Sequence, residues 1–383
     1  MTGSVDVVIA GGGAVGSAIA YFLAREPAFG GTIVIVEPDP GYEFAASARS
    51  ASSIRRQFST PLNIALSEFG WQFLRTMPEV ALVESSYLLL ATPAGLAGLR
   101  QNIALQHRCG VPTQLHEPRE LARRYPWIHV GDLAAGADTA GGEGWFDGYA
   151  LLQSLRRANE RGGVRYVRDR VAALDMRATD TIAAVRLAGG AAIACRTLVL
   201  AAGTGSRALA SQAGIDLPVF ARKRNVFVFE SAAKISHCPL VVDTSGLWFR
   251  PEGTRFICGP SPLVDTNVAS DDFDVDHEQF DELAWPALAH RVPAFEALRV
   301  RGAWAGHYDY NVFDQNAFVG PCEAVPNLLL ANGFSGHGLQ QAPGIGRALA
   351  EYIACGEYRS IDVTPFSYAR YTRGEPLREH NVI

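Results

Sequence analysis

The stretch from Val5 to Glu37 constrains the fold more than any other. VDVVIA at 5–10 leads into Gly11-Gly12-Gly13-Ala14-Val15-Gly16, which fits G-x-G-x-x-G. Val15, Ala18, Ile19, Phe22 and Leu23 then follow helical spacing with one buried face. A second run, TIVIV at 32–36, ends at Glu37. Runs this short, apolar and β-branched read as strands buried on both faces. Strand, glycine turn, helix, strand and acid in this order describe a unit that binds a dinucleotide. Gly11 permits the sharp turn, Gly13 lets a pyrophosphate approach the backbone, and Gly16 lets helix pack on strand. The helix start offers N–H groups and the positive end of its dipole to phosphates. Glu37 can accept hydrogen bonds from a ribose and would repel a 2′-phosphate. A tight strand–helix turn without a ligand is the plainer alternative, but it leaves the acid unexplained.

Length and composition narrow the partners. The 383 residues, 48% of them hydrophobic, suffice for a large core and about two domains. With 19% charged residues and a net charge of −5, the chain lacks the basic face that nucleic acid requires. The six cysteines form no CxxC pair and no zinc-type spacing, so no metal site is expected, and scattered thiols suggest a reducing compartment. The N-terminus has no basic region followed by an apolar one, and no run reaches the ~18 apolar residues of a membrane span. A soluble, cytoplasmic protein is expected.

Beyond Glu37 the chain departs from regular β-α-β units. Residues 38–59, PDPGYEFAASARSASSIRRQFS, form a small-residue loop suited to lie along an extended ligand, and a helix is predicted from about Leu62 to Leu74. Residues 164–202 read as short strands with a turn at 188–190, and the last strand meets Gly203-Thr-Gly-Ser206, a second glycine turn fit for the far side of a long cofactor. Residues 219–230 alternate like a half-exposed strand, and 247–259 resemble a hairpin turning near Glu252-Gly253. Near the C-terminus, GFSGHGLQQAPGIG at 333–346 runs into a good helix. The polar tail from Thr372 is expected to be partly disordered.

These signposts, GGGAVGSA with Glu37, LVLAAGTGS, WFRPEG at 248–253 and the C-terminal glycine loop, resemble the FAD-dependent amine and amino-acid oxidoreductase family of glycine oxidase, sarcosine oxidase and D-amino-acid oxidase. WAGHYDYNVFDQNAFVGP at 304–321 is most similar to a branch of mitochondrial FAD-dependent oxidoreductase-domain proteins. The resemblance implies an α/β fold: a Rossmann-like FAD domain from 1–84, 142–218 and 319–383, and a mainly antiparallel substrate domain from 85–141 and 219–318. It also implies that Gly336, His337, Gly338, Leu339 and Gln340 meet the isoalloxazine ring through main-chain N–H groups, which stabilise charge developing at the flavin C2 carbonyl. His337 is expected to be structural. Pro38, Ser47, Ser50, Ala51, Ser53, Val171, Ala202, Gly203 and Gly306 complete the expected cofactor contacts, beside Gly11, Gly13, Ala14, Val15, Gly16 and Glu37. Gly306 stands where the sarcosine branch carries its flavin-linking cysteine, so FAD is expected to be non-covalent.

For the substrate, the resemblance places Arg55 where a carboxylate-binding arginine stands; surface charge or a pyrophosphate clamp are its alternatives. Arg250 is a second candidate, with an ion pair to Glu252 or Asp243 equally plausible. His307 and Tyr308 should face flavin or substrate, Tyr308 most simply as pocket wall. The sarcosine branch has a basic residue just after GHG where this chain has Gln340, which argues against sarcosine itself. The expected reaction is C–N oxidation of a small amine or amino acid by hydride transfer to flavin N5, with oxygen or a carrier such as a quinone as final acceptor. A 2-hydroxy-acid or glycerol-phosphate dehydrogenase, with His307 as base, and a flavin-bound assembly protein without turnover are the alternatives. Oligomeric state is not legible.

Overall fold

A computed structural model describes residues 4–177 and 180–380. At its centre Val5–Ala10 lies between Ile33–Glu37 and Ala192–Leu200; Arg165–Arg168 adds beyond the former and Val325–Asn332 beyond the latter, all parallel. Phe318–Cys322 closes the far edge antiparallel, and Val171–Arg177 and Thr181–Leu187 form a hairpin on the opening residues of Ala192–Leu200. The expected alternation of two buried faces is literal. Val7, Ile9 and Ile35 pack with Ile19, Leu23 and Ile345 on one side; Val8, Val34 and Val36 pack with Val185, Leu209 and Phe318 on the other.

Three helices cover the first side: Ala14–Leu23, Pro61–Arg75 (the helix predicted at 62–74) and Gly338–Cys355. Their backbones nearly touch. A Cβ on Gly346 would lie 2.6 Å from the Ala18 carbonyl carbon, and one on Gly70 would lie 2.2 Å from the Gln340 oxygen. The C-terminal helix is thus clamped to helices from the first 75 residues.

A second sheet of eight strands runs in the order Arg299–Asn311, Val219–Glu230, Arg255–Gly259, Trp248–Glu252, Leu240–Val242, Tyr87–Ala91, Ala135–Thr139, Thr113–His116. All neighbours are antiparallel except Leu240–Val242 on Tyr87–Ala91. The expected strand at 219–230 and the hairpin at 247–259 are both in it. A third sheet, unforeseen in the sequence, joins Ser53–Ile54, Glu143–Trp145 and Val83–Ser85. Its Glu143 is fully buried and accepts hydrogen bonds from the Arg56 and Gln57 amides, the Gln57 side chain and the Tyr87 amide (2.7–3.1 Å). No helix among the described residues is long and apolar enough to cross a membrane.

The tail departs from expectation through residue 380; residues 381–383 lie outside the described residues. Glu379 is buried, and its carboxylate accepts from the Ser59 amide and hydroxyl (2.8 and 2.6 Å), the Thr60 hydroxyl (3.2 Å) and the Asn63 amide (2.9 Å). A buried pair, Arg370 and Asp314 (2.7 and 3.0 Å), fixes the same segment, with the Leu377 amide donating to Asp314 (2.9 Å). A polar composition did not mean a solvated tail, because its acids have fixed donors to satisfy.

Two outcomes follow from these buried carboxylates. Glu379→Ala leaves four donors without their acceptor and lowers unfolding free energy by about 2–3 kcal/mol; an unchanged denaturant midpoint would show the tail to be unattached. Asp309, on the strand Arg299–Asn311, is held at about 6 by burial, which outweighs the Phe334 and Gly333 amides donating to it. Its folded pKa exceeds its unfolded one, so between about pH 4 and 6 the folded chain keeps a proton that the unfolded chain releases. Its contribution to stability therefore declines as pH rises through that window. Urea midpoints of wild type minus Asp309→Asn should fall across pH 4–6 and level off above it; a flat difference overturns the assignment.

Candidate active site

Because the strands are parallel, their carboxyl ends share one edge, and the chain turns there at each. Val5–Ala10 ends in Gly11, Ile33–Glu37 in Pro38, Ala192–Leu200 in Ala202-Gly203, and Val325–Asn332 in the turn 333–337. From Glu37 to Gly333 the edge crosses three strand spacings, about 14 Å. A cavity of about 700 Å³ lies along it. This is the crevice outside the first strand, where the order reverses and where open α/β sheets bind ligands. Its length suits an extended dinucleotide.

At the N-terminal turn Gly11 has φ +103°, and a Cβ there would meet the Ala201 oxygen at 2.3 Å, so only glycine closes this corner. Glu37 accepts from the Gly12 amide (2.8 Å) and the Asp39 amide (3.0 Å), leaving acceptor capacity on both oxygens. Burial raises its pKa against those two donors. The Ser47 hydroxyl accepts from the Ala14 amide (3.0 Å), tying the small-residue loop to the helix start. Gly13, Ala14, Val15, Pro38, Ser47, Ser50, Ala51, Ser53, Val171, Ala202, Gly203 and Gly306 all line the cavity. Gly16 does not; a Cβ there would sit 2.0 Å from the Gly11 oxygen, so it serves the packing of the turn.

The C-terminal turn closes the other end, where Gly336, His337, Gly338, Leu339 and Gln340 line the cavity. Gly336 has φ +91°, and a Cβ on it would strike the Tyr308 ring at 2.6 Å. Arg55 lines the cavity beside this turn and is buried. Its amide donates to Gln340 Oε1 (2.9 Å), Nη1 to the Gln57 carbonyl (2.7 Å), and Nη2 lies 3.3 Å from His337 Nε2. Its guanidinium stacks 4.0 Å from the Phe58 ring centroid. Burial, reinforced by Arg55, holds His337 neutral, so its Nε2 accepts from the guanidinium. Burial also lowers the proton affinity of Arg55, offset by Glu379, Tyr87 and Glu143.

The other candidates separate. Gly306, His307 and Tyr308 all line the cavity, although alternation along the strand turns the His307 side chain to the other face from Tyr308. The His307 Nε2 bonds to the Asp272 carbonyl (2.7 Å), its ring stacks on Phe273 (centroids 4.3 Å apart), and burial lowers its pKa against that bond. Burial raises the Tyr308 hydroxyl pKa while Arg224 and Arg55 oppose it. Arg250 does not line the cavity. It pairs with Glu252, donates to the Ala51 carbonyl (2.7 Å) and lies over Trp145 (5.0 Å). Asp243, its other expected partner, is paired with Arg291 instead (2.5 Å). No cysteine is among the residues lining the cavity.

Sequence reasoning missed Arg49, Tyr87, Arg224 and Phe273, which also line it. A signal existed for one: three successive cations, Arg222, Lys223 and Arg224, on a strand with a buried face require acidic partners, but those partners lie about 40–50 residues away. Outside the cavity, His129, Asp132 and His290 bring ligand atoms within 4.8 Å of one another, but Asp132 is already bonded through both oxygens to Arg291.

Against known proteins, the profile of the family described as FAD dependent oxidoreductase (DAO) matches residues 6–352. The FAD-dependent oxidoreductase domain-containing protein 1 of Xenopus laevis is 37% identical, across 99% of this chain and 85% of its own length; that of Bos taurus is 37% identical across 99% and 87%. Among solved structures, L-proline dehydrogenase of P. horikoshii superposes with a TM-score of 0.87 at 22% identity (98% of this chain, 100% of that one). Glycine oxidase of Geobacillus kaustophilus gives 0.81 at 22% (96% and 98%). These two likenesses carry the fold; the profile and the relatives carry the family. The chain belongs to the DAO family and is an FAD-dependent oxidoreductase.

Proposed function

We propose that the chain oxidises the C–N bond of a small amino acid or N-substituted glycine-type amine, giving an imine that water hydrolyses. The observation that carries this reading is Arg55: a buried guanidinium on the cavity wall, set beside the C-terminal glycine turn by a neutral histidine and a carbonyl. A buried cation at such a place suits a substrate carboxylate. Bound FAD supplies the two-electron acceptor for the hydride.

The turn from Gly11 to Val15 would hold the pyrophosphate, and Glu37 the adenosine ribose. The loop 45–53 with Val171, Ala202 and Gly203 would enclose the middle of the cofactor. The helix that starts at Gly338 would direct its amides at the ring, where negative charge develops. Gly336 would let that backbone approach, and Tyr308 would form a wall of the substrate space. Arg55 would orient the substrate, and the neutral His337 fixes the guanidinium without competing for a proton. A deprotonated amine needs no protein base, in keeping with a His307 that lines the cavity but whose imidazole is engaged by the Asp272 carbonyl and the Phe273 ring.

Several similar proteins are named for the oxidation of amines or amino acids: 4-methylaminobutanoate oxidase of Paenarthrobacter nicotinovorans, mitochondrial dimethylglycine dehydrogenase of Mus musculus, L-proline dehydrogenase and glycine oxidase; one fold neighbour, of Mycoplasma pneumoniae, is named an L-α-glycerophosphate oxidase.

The test is anaerobic bleaching of the bound flavin by N-substituted glycines, D- and L-amino acids and 2-hydroxy acids. Amines should bleach it and hydroxy acids should not; a blank across the amines refutes the proposal and leaves a binding role. Mixing the bleached protein with oxygen or a quinone then identifies the final acceptor. Arg55→Lys keeps the charge but loses the bidentate fork, and should cost roughly 10²–10³ in kcat/KM, mostly through KM, with FAD content retained. A change under about threefold would remove Arg55 from the site.

A further inference from the structure

A second arginine on the same cavity has a carboxylate partner that comes from an irregular crossing of the fold. Arg224 lies opposite Gly306 in the strand register, lines the cavity, and stands 5.1 Å from the Tyr308 ring centroid. The same ring abuts Gly336, whose neighbour His337 bonds to Arg55. Two guanidinium groups therefore flank one aromatic wall. Arg224 makes a bidentate pair with Asp265: Nη1 to Oδ1 2.8 Å, Nη2 to Oδ2 2.9 Å.

Asp265 belongs to a crossing with neither helix nor strand at 260–277, a length uncommon within a compact domain unless it serves as a lid or binding loop. Pro260, Ser261, Ser270 and Phe273 of this crossing line the cavity. Near Asp265 it buries little: Leu263 and Val264 are 82% and 75% exposed. Its other attachments include the Ser261 hydroxyl on the Gly246 carbonyl (3.0 Å), the Asp272–Lys223 pair (2.8 Å), the Val268 amide on the Ala221 carbonyl (3.0 Å) and Phe273 on His307. Between Ser261 and Val268, Asp265 ties the exposed stretch to the sheet through Arg224 and Arg222.

We propose that Arg224 is a second carboxylate-binding residue of this cavity, occupied by Asp265 until an amine bearing two carboxylates displaces it. The proposal rests on the reading that Arg55 takes the first carboxylate. An incoming carboxylate can take over both hydrogen bonds to Arg224, so no buried cation is stripped of its partner. A neutral side chain cannot make that exchange, because it would leave the half-buried Arg224 without a carboxylate, the costly outcome for a half-broken ion pair. The displaced Asp265 keeps a cation in reach, since Arg222 lies 3.4 Å from its Oδ1. Substrates of this class are N-carboxyalkyl amino acids and amino-dicarboxylic acids.

The holoenzyme should be bleached anaerobically by iminodiacetate, aspartate or glutamate with kcat/KM at least about tenfold above that for sarcosine, glycine or proline. Arg224→Gln should cut the dicarboxylate-to-monocarboxylate ratio by roughly 30–100-fold, and Asp265→Asn should lower KM for the dicarboxylates several-fold. A measurement on the unaltered holoenzyme is independent of how the variants fold. Succinate or glutarate should perturb the flavin spectrum at concentrations at least about tenfold below those of acetate or propionate. Bleaching by monocarboxylate amines alone, or equal losses for both classes in Arg224→Gln, overturns the second site and leaves the amine reading intact. No bleaching by any amine overturns both.

Discussion

The parallel pairing of Val325–Asn332 with Ala192–Leu200 governs the rest of the molecule. A parallel neighbour must end on the same edge as its partner, so this single pairing delivers the turn at 333–337 to the edge where Gly11 already lies. The helix Gly338–Cys355 is then directed back across Ala14–Leu23, and Gly346 is the residue that lets the two backbones meet. The cavity follows from that placement. Its two ends come from turns far apart in sequence but three strand spacings apart in space.

Charge is arranged around the cavity with the same economy of partners. Arg55 is buried, which lowers its proton affinity, and the Glu379 and Glu143 carboxylates offset part of that cost. Both carboxylates also accept from amide, hydroxyl or side-chain amide donors. Arg224 is held differently, by a carboxylate on an irregular crossing. Arg55 is fully buried and Arg224 half-buried, and their partners are anchored on different parts of the fold.

The sequence made the parallel core legible because its signals are local. Five to ten residues of β-branched run, a glycine at each required turn and an acid at a fixed distance suffice for Val5–Glu37. The hairpin at 247–259 and the long strand at 219–230 were legible for the same reason. What was not legible depends on pairs far apart in the chain. The three-stranded sheet uses strands of two or three residues, too short to carry a period. The fixing of the tail needs Ser59, Thr60 and Asn63, some 320 residues earlier. His307 was placed by its proximity in sequence to Gly306 and does line the cavity, but its partners, the Asp272 carbonyl and the Phe273 ring, lie about 35 residues away and had no local signal. Arg250 was read from a motif, and the motif fixed its strand without fixing where its guanidinium goes.

The contact between Ala18 and Gly346 also has a consequence in time. The two residues are 328 positions apart (346 − 18), and a ribosome adding about 5–20 residues per second needs on the order of 15–65 s to make the later one. Throughout that interval the first helix has no partner for the face that Gly346 covers. Nascent chains are therefore expected to carry exposed apolar surface until the helix Gly338–Cys355 has been made, and to depend on chaperone shielding more than a protein whose amino-terminal domain closes on itself.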